Sequence, residues 1–467
     1  ILGTNSIKAS GFDVDYSCRF DNAYSGTGAS DYLTRTYSAG NRRTFTISFW
    51  IKRSGLFVSQ WQQVLGQYDV GADQLFRVGY NSGEQGDIIR CYGAPGGFEF
   101  RTTALYRDVS AWYHVVLAID TTQSTEANRA KLYVNGTQVT SFVTANYPSQ
   151  NTELHYNEGK AHSIGRAGGG NQGLPAYLAQ LISIDGTAYA ASDFGEFDED
   201  SPTIWKPKDV SGLTFGSQGF YLDFADSGDL GDDESGNGND WTETGIAAIN
   251  QVTDSPTNNF PTLNPLFPEA NVAYSQGNTV ATADGSANWS SVIPTVGLAN
   301  GKWYWEWTAT STSNVFTGIV SEVLVNSGVL ISDATPYDAT GLILYFAAGR
   351  KTVDGSDTES HFTAYGSGTM SAALDLDSGT RTITFYHNGS ATGDVVNLTA
   401  NFAAGDLVFP VFMVNAGSNT SIINPNFGNP SYANSSDAAD ANGYGAFEYA
   451  PPSGYFAICT KNLAEYG

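Results

Sequence analysis

The acidic run Glu196-Phe197-Asp198-Glu199-Asp200 holds the residue types that come nearest to catalysis. Enzymes that cleave glycosidic bonds use two carboxyl groups, about 5–5.5 Å apart when configuration is retained. On a strand, Glu196, Asp198 and Asp200 would alternate onto one face. No further Glu closes the set, Gly195 precedes the run and Ser201-Pro202 follows it. Flanking aromatic strand residues, which would wall a pocket, are missing. A solvated acidic loop outweighs catalysis, and no catalytic residue is assigned.

A second group of oxygens is Asp226, Asp232, Asp233, Glu234, Asn237, Asn239 and Asp240. These are hard ligands of the kind calcium takes, but no Glu stands at the twelfth position of an EF-hand loop. Calcium stays open, without ligands; no other cofactor is expected. His114, His155, His162, His361 and His387 are scattered. No His-x-x-x-His or Cys-x-x-Cys pair suggests zinc. His114, beside Tyr113, reads as a packed or edge strand residue. There is no Gly-x-Ser-x-Gly elbow and no phosphate-binding Gly-x-x-x-x-Gly-Lys-Ser/Thr loop. Gly168-Gly169-Gly170 reads as a flexible loop.

Aromatic residues offer a different chemistry, since their faces pack against sugar rings. Trp303, Trp305 and Trp307 share one strand face, where core or interdomain packing is favoured over a stacking platform. Trp61, in the Ser59-Gln60-Trp61-Gln62 segment read as a loop, is the better ligand-binding candidate.

The formal charge of −25, with Lys plus Arg totalling 22, argues against nucleic acid, which needs basic grooves. No run of about 18 apolar residues indicates membrane insertion, and the first residues do not read as a signal peptide. Cys18, Cys91 and Cys459 cannot all pair, and buried thiols are favoured over a Cys18–Cys91 bridge. The Asn-x-Ser/Thr sequons are ascribed to Asn-rich turns.

The positioning elements are strands. Phe45, Ile47, Phe49 and Ile51 alternate with mostly polar neighbours, the pattern of a half-buried sandwich strand. Short β-rich runs separated by Gly, Asn, Asp and Ser recur throughout, giving an all-β class. Two stretches organise the chain, Trp112–Val139 and Ala372–Gly389. Each has an apolar strand ending on Asp, a polar turn, a second strand and then Asn-Gly. Asn135-Gly136 and Asn388-Gly389 fit type I′ hairpin turns. The reading is two tandem β-sandwich (jelly-roll) domains.

The succession TFTISFWIKRS, WYHVVLAID, KLYVNG and YLAQLISIDG resembles the laminin-G-like, concanavalin-type jelly roll. Phe194-Gly195-Glu196, Trp205-Lys206-Pro207, Gly219–Phe224, Ser235–Trp241 and Asp254–Phe260 follow in order. That set resembles versions of the domain in tailed-phage structural proteins, over about Phe12 to Asn264. Further on, GKWYWE, LDLDSGTRTITFYHNG, a proline-marked strand and Asn426-Phe427-Gly428 resemble a SPRY domain. Met370-Ser371 stands where that family often has Gly-Asp. The expected organisation is a short leader at 1–10, a jelly roll at 11–225, an acidic Gly/Asn/Pro-rich linker at 226–271 and a SPRY-like sandwich at 272–467.

The resemblance implies a non-enzymatic protein of the virion surface, a tail fibre, tail-tip or capsid-attached head fibre, for adhesion to host surface glycan. The alternatives are a jelly-roll polysaccharide depolymerase and a purely structural capsid decoration protein. Other virion proteins are the expected partners. A homo-oligomer is expected, a trimer favoured, because weak glycan sites gain from repetition. Its contacts are expected at Trp303–Trp307 and the leader Ile1–Ser10.

Overall fold

The computed structural model describes residues 11–22, 30–56, 61–68, 75–81, 86–167, 172–267, 272–283, 289–310, 315–328, 339–346, 349–358, 366–393, 395–414 and 421–467. The leader 1–10, Gly168-Gly169-Gly170 and His361 lie outside them. The protein is all-β, and its contacts divide it into two units meeting between Asn258 and Asn259.

The first unit is a sandwich of two antiparallel eight-stranded sheets. One runs in the order Thr137–Gln138, Ala130–Val134, Trp112–Asp120, Thr44–Arg53, Pro175–Asp185, Ser17–Asp21, Gln251–Val252, with Phe220–Leu222 also on Pro175–Asp185. The other runs Phe142–Asn146, Phe98–Thr102, Ile88–Gly93, Leu75–Asn81, Trp61–Tyr68, Ala161–Ile164, Tyr32–Thr36, Thr242–Thr244. Phe45, Ile47, Phe49 and Ile51 enter the core between the sheets, as their alternation predicts. Their partners do not face water as expected. Trp50 joins a separate buried cluster with Trp112, Val116, Phe194, Trp205 and Val210. Thr46 Oγ1 donates to the Thr187 carbonyl, and Lys52 Nζ donates to Asp254 Oδ2 at 2.6 Å. The chain after Asp185 thus folds back as a third layer over this sheet. Polar residues that read as solvent-facing are buried because each has a partner there.

The 226–271 linker is corrected by this structure. Leu230 and Trp241 lie in the inter-sheet core. Thr242–Thr244 pairs with Tyr32–Thr36, and Gln251–Val252 pairs with Ser17–Asp21. The stretch reads as linker because its carboxylates close local turns: Asp233 accepts from the backbone of Tyr221, Ser235 and Asn239. Turn composition need not mean exposure.

The second unit has its own two sheets. The larger runs Val272–Ser275, Val280–Ala283, Ser421–Asn426, Lys302–Ala309, Met370–Asp375, Thr382–His387, Ser390–Ala391. The smaller runs Ser290–Val292, Val408–Val414, Val315–Ser321, Leu342–Phe346, Lys351–Val353, Ser356–Thr358. Trp303, Trp305 and Trp307 are all buried in the core between them. They cannot supply the intersubunit contact expected of them. Both Asn-Gly pairs have positive φ at both residues, as a type I′ turn requires: 46° and 75° at Asn135-Gly136, 48° and 74° at Asn388-Gly389.

Candidate functional site

Within the first unit, a two-lobed groove opens where the third layer meets the Asn135-Gly136 hairpin. Trp205 occupies its floor. The strand Trp205–Pro207 pairs antiparallel with Gly195–Phe197, setting Phe197 opposite Trp205 and Glu196 opposite Lys206. Two glycines make room for the indole. A Cβ at Gly136 would come within 2.2 Å of the ring, and one at Gly195 within 2.6 Å. The turn glycine therefore serves both the φ of the hairpin and the close approach of the ring.

Beneath the ring, Trp205 Nε1 donates to His114 Nδ1 at 3.0 Å, while His114 Nε2 lies 2.9 Å from Ser48 Oγ. Since Nδ1 accepts, the imidazole proton sits on Nε2 and is donated to the serine. Burial drives the His114 pKa down to about 3, so the ring is a neutral, fixed acceptor at ordinary pH. Asn135 ties the hairpin down: its Oδ1 accepts from the His114 backbone at 2.8 Å, and its own N–H donates to the His114 carbonyl at 2.9 Å.

The larger lobe, about 370 Å³, is lined by Tyr133, Gly136, Ser192, Glu196, Phe197, Trp205 and Lys208 among others. Phe197 is 44% exposed and meets Trp205 edge-on at 4.9 Å between centroids. The second lobe, about 290 Å³, shares Tyr133 and is lined by Asp120, Gln123, Asn128, Lys131 and Tyr189. Tyr133 is half-buried; desolvation, helped by the Asp193 charge, raises its phenol, which stays a protonated donor.

The carboxylates here are already engaged. Asp198 Oδ1 accepts from the backbone of Asp200 and Ser201, and its Oδ2 lies 3.3 Å from Lys206 Nζ. Glu196 Oε1 is 3.6 Å from the same ammonium. Desolvation, the largest single influence on Asp198, is outweighed by these donors and the Lys206 charge together, which hold its pKa below the usual value. Asp120 is similar: desolvation is outweighed by hydrogen bonds from Thr122, Gln123 and Thr44. A general acid needs the opposite displacement. The expected acidic loop is in part a strand, Gly195–Phe197, with Asp198 closing the turn after it.

Trp61 lies elsewhere, on the second sheet. It is the first residue of the strand Trp61–Tyr68 rather than a loop residue, half-buried, with the Arg90 guanidinium 4.3 Å over its ring. Among the described residues, no group of three or more His, Cys, Asp or Glu is arranged to hold a metal. Cys18, Cys91 and Cys459 are buried thiols, and no disulfide joins them.

Tyr133, Phe197 and Trp205 escaped sequence reasoning as a group. They come from a hairpin arm and two short strands, and no fixed spacing links them. The usable signal was Asn135-Gly136 followed by an unassigned Trp205.

Residues 27–184 match the family model described as the Concanavalin A-like lectin/glucanases superfamily, laminin G type. No curated protein matches the chain. Among solved structures, a stonustoxin structure is similar with TM-score 0.27 and 18% identity, over 36% of this chain and 27% of that one. The TRIM65 PSpry domain is similar with TM-score 0.28 and 17% identity, over 36% of this chain and 91% of that one. The SPRY domain of human HERC1 gives TM-score 0.27 and 18% identity, over 35% and 96%. By the family match, the first unit is similar to a superfamily that holds both lectins and glucanases.

Proposed function

We propose that the chain is a non-enzymatic adhesion protein of a tailed-phage virion, and that the Tyr133–Phe197–Trp205 groove holds host surface glycan. The observation that carries this reading is the fixed aromatic floor: an indole locked between two glycines and a neutral histidine, with Phe197 exposed beside it. The exposed Phe197 ring, backed by the buried indole, offers the face that packs against sugar C–H groups, while Tyr133, Asn128 and the lysines offer hydrogen bonds at the margin. The lobe volumes are near or within the usual range of about 300–1,000 Å³ for ligand sites.

Binding without cleavage is favoured because Glu196 and Asp198 share one ammonium and Asp198 is held ionised. That weighs against the depolymerase alternative. The virion setting, tail or capsid, rests on the ordered motifs after Phe194. Open sites of this kind bind sugars weakly, near millimolar or about −4 kcal/mol. Linked copies raise avidity by about 10²–10⁴, so a homo-oligomer, a trimer in preference, remains part of the proposal. Light scattering on the purified chain and imaging of particles carrying it test assembly and location. Single monomeric copies in both would end that part.

A further inference from the structure

The two lobes of the groove differ in chemistry, and the difference runs along one strand. Lys131 and Tyr133 alternate onto the same face of Ala130–Val134, about 6.6 Å apart along the chain. Tyr133 and Ala190 line both lobes, so the lobes join there. That spacing is close to the length of one sugar unit, and the groove therefore takes two units in succession.

The lobe beside Lys131, about 290 Å³, is lined by polar side chains. Among the described residues, neither the Lys131 ammonium nor the Asn128 amide has a partner. Gln123 donates its Nε2 to Asp120 Oδ2 at 2.6 Å and keeps Oε1 as an acceptor. A hydroxyl-rich ring matches this mixture of donors and acceptors.

The lobe beside Gly136, about 370 Å³, combines an apolar wall with a few polar groups. Ala190, Ala191, Gly195 and the exposed Phe197 form the wall. Ser192, Lys208 and Glu196 line the same lobe. The side chains of Ser192 and Lys208 have no partner among the described residues, and Glu196 has the Lys206 ammonium at 3.6 Å. The lobe thus offers an apolar surface, two donors and one acceptor. An acetamido group carries a methyl, a carbonyl oxygen and an N–H, and answers all three. A lone methyl leaves the polar groups unused, and a carboxylate meets Glu196 as a like charge.

We infer that the groove recognises a disaccharide unit of a heteropolysaccharide. Its 2-acetamido sugar lies on Phe197, the N–H donating to Glu196 and the carbonyl accepting from Ser192 or Lys208. The neighbouring unsubstituted hexose lies against Asn128 and Lys131. This assignment rests on the glycan reading of the groove, and it gives Glu196 a use other than catalysis.

The test begins with an array of bacterial polysaccharides of known repeat structure, probed with the labelled full chain and with Phe197→Ala. Every polysaccharide that the parent holds and Phe197→Ala loses should contain an acetamido sugar next to a hexose. The repeat-unit oligosaccharide of one such polysaccharide is then titrated calorimetrically beside its counterpart with a hydroxyl in place of the acetamido group. The acetamido form should bind at least about tenfold more tightly. Lys208→Met should erase most of that preference, while Asn128→Ala should weaken both forms by the same factor, with unchanged circular dichroism. Equal binding of the two forms, or an equal loss of both in Lys208→Met, would overturn the inference. Phe197-dependent binding to polysaccharides without acetamido sugars would overturn it too, and would leave the glycan reading of the groove standing. Binding to no polysaccharide at all would remove that reading and this inference with it.

Discussion

The indole N–H of Trp205 donates to Nδ1 of His114 at 3.0 Å, joining the third layer of the first unit to the strand beneath it. The bond fixes the tautomer of the histidine and the plane of the groove floor together. Trp205→Phe keeps an aromatic ring but leaves a buried acceptor without its donor. It should cost about 1–3 kcal/mol in urea denaturation. Trp205→Ala, which opens a cavity as well, should cost about 3–5 kcal/mol.

Gly136 tests the same packing from the other side. Its φ of +75° disfavours a side chain, and a Cβ would come within 2.2 Å of the indole. Gly136→Ala should destabilise by about 1–3 kcal/mol. Gly212→Ala, with open space around it, should stay within about 0.5 kcal/mol. Equal effects in thermal melts would show that the ring does not depend on the glycine.

Burial lowers His114 and His162, each to about 3. A histidine with a depressed folded pKa contributes stability in full above its unfolded value of about 6.5. That contribution is lost as pH falls from about 6.5 towards 3, because the unfolded chain binds the proton first. Unfolding free energy should therefore drop across this window. In the folded protein, the ring signals of both residues should not titrate by NMR between about pH 5 and 8. A midpoint near 6.5 for His114 would contradict its role as a fixed acceptor.

Asp254 tests the boundary of the first unit. It is fully buried and accepts from Lys52 Nζ at 2.6 Å and Trp112 Nε1 at 3.1 Å. Burial lowers the Lys52 pKa although Asp254 opposes the shift. Asp254→Ala, which strands that ammonium, should cost about 3–5 kcal/mol. A fragment 9–258 should fold cooperatively, and one ending at 225 should not. A cooperative melt from the shorter fragment would restore the linker reading.

Much of this fold is legible in the sequence because strand alternation and Asn-Gly turns act locally. Phe45, Ile47, Phe49 and Ile51 declare the core face, and the two hairpins declare their turns. The other face is not legible. Thr46, Ser48 and Lys52 are polar, and their burial is explained by partners distant in sequence, among them Thr187, Tyr189, His114 and Asp254. The acidic stretch 226–258 misleads for a related reason, since its carboxylates satisfy backbone N–H groups inside the unit. The groove was hidden more deeply still. Tyr133 and Phe197 are unremarkable in sequence and gain meaning only once Trp205 is placed between Gly136 and Gly195.

The central claim is that the groove binds glycan and leaves it intact. The most direct measurement presents host surface polysaccharide to the purified chain and to its Phe197→Ala and Glu196→Gln variants, following retention and reducing-end release together. The account predicts retention by the parent chain, at least about tenfold weaker retention by Phe197→Ala, and no reducing ends from any of them. Reducing ends released by the parent and abolished in Glu196→Gln would contradict it.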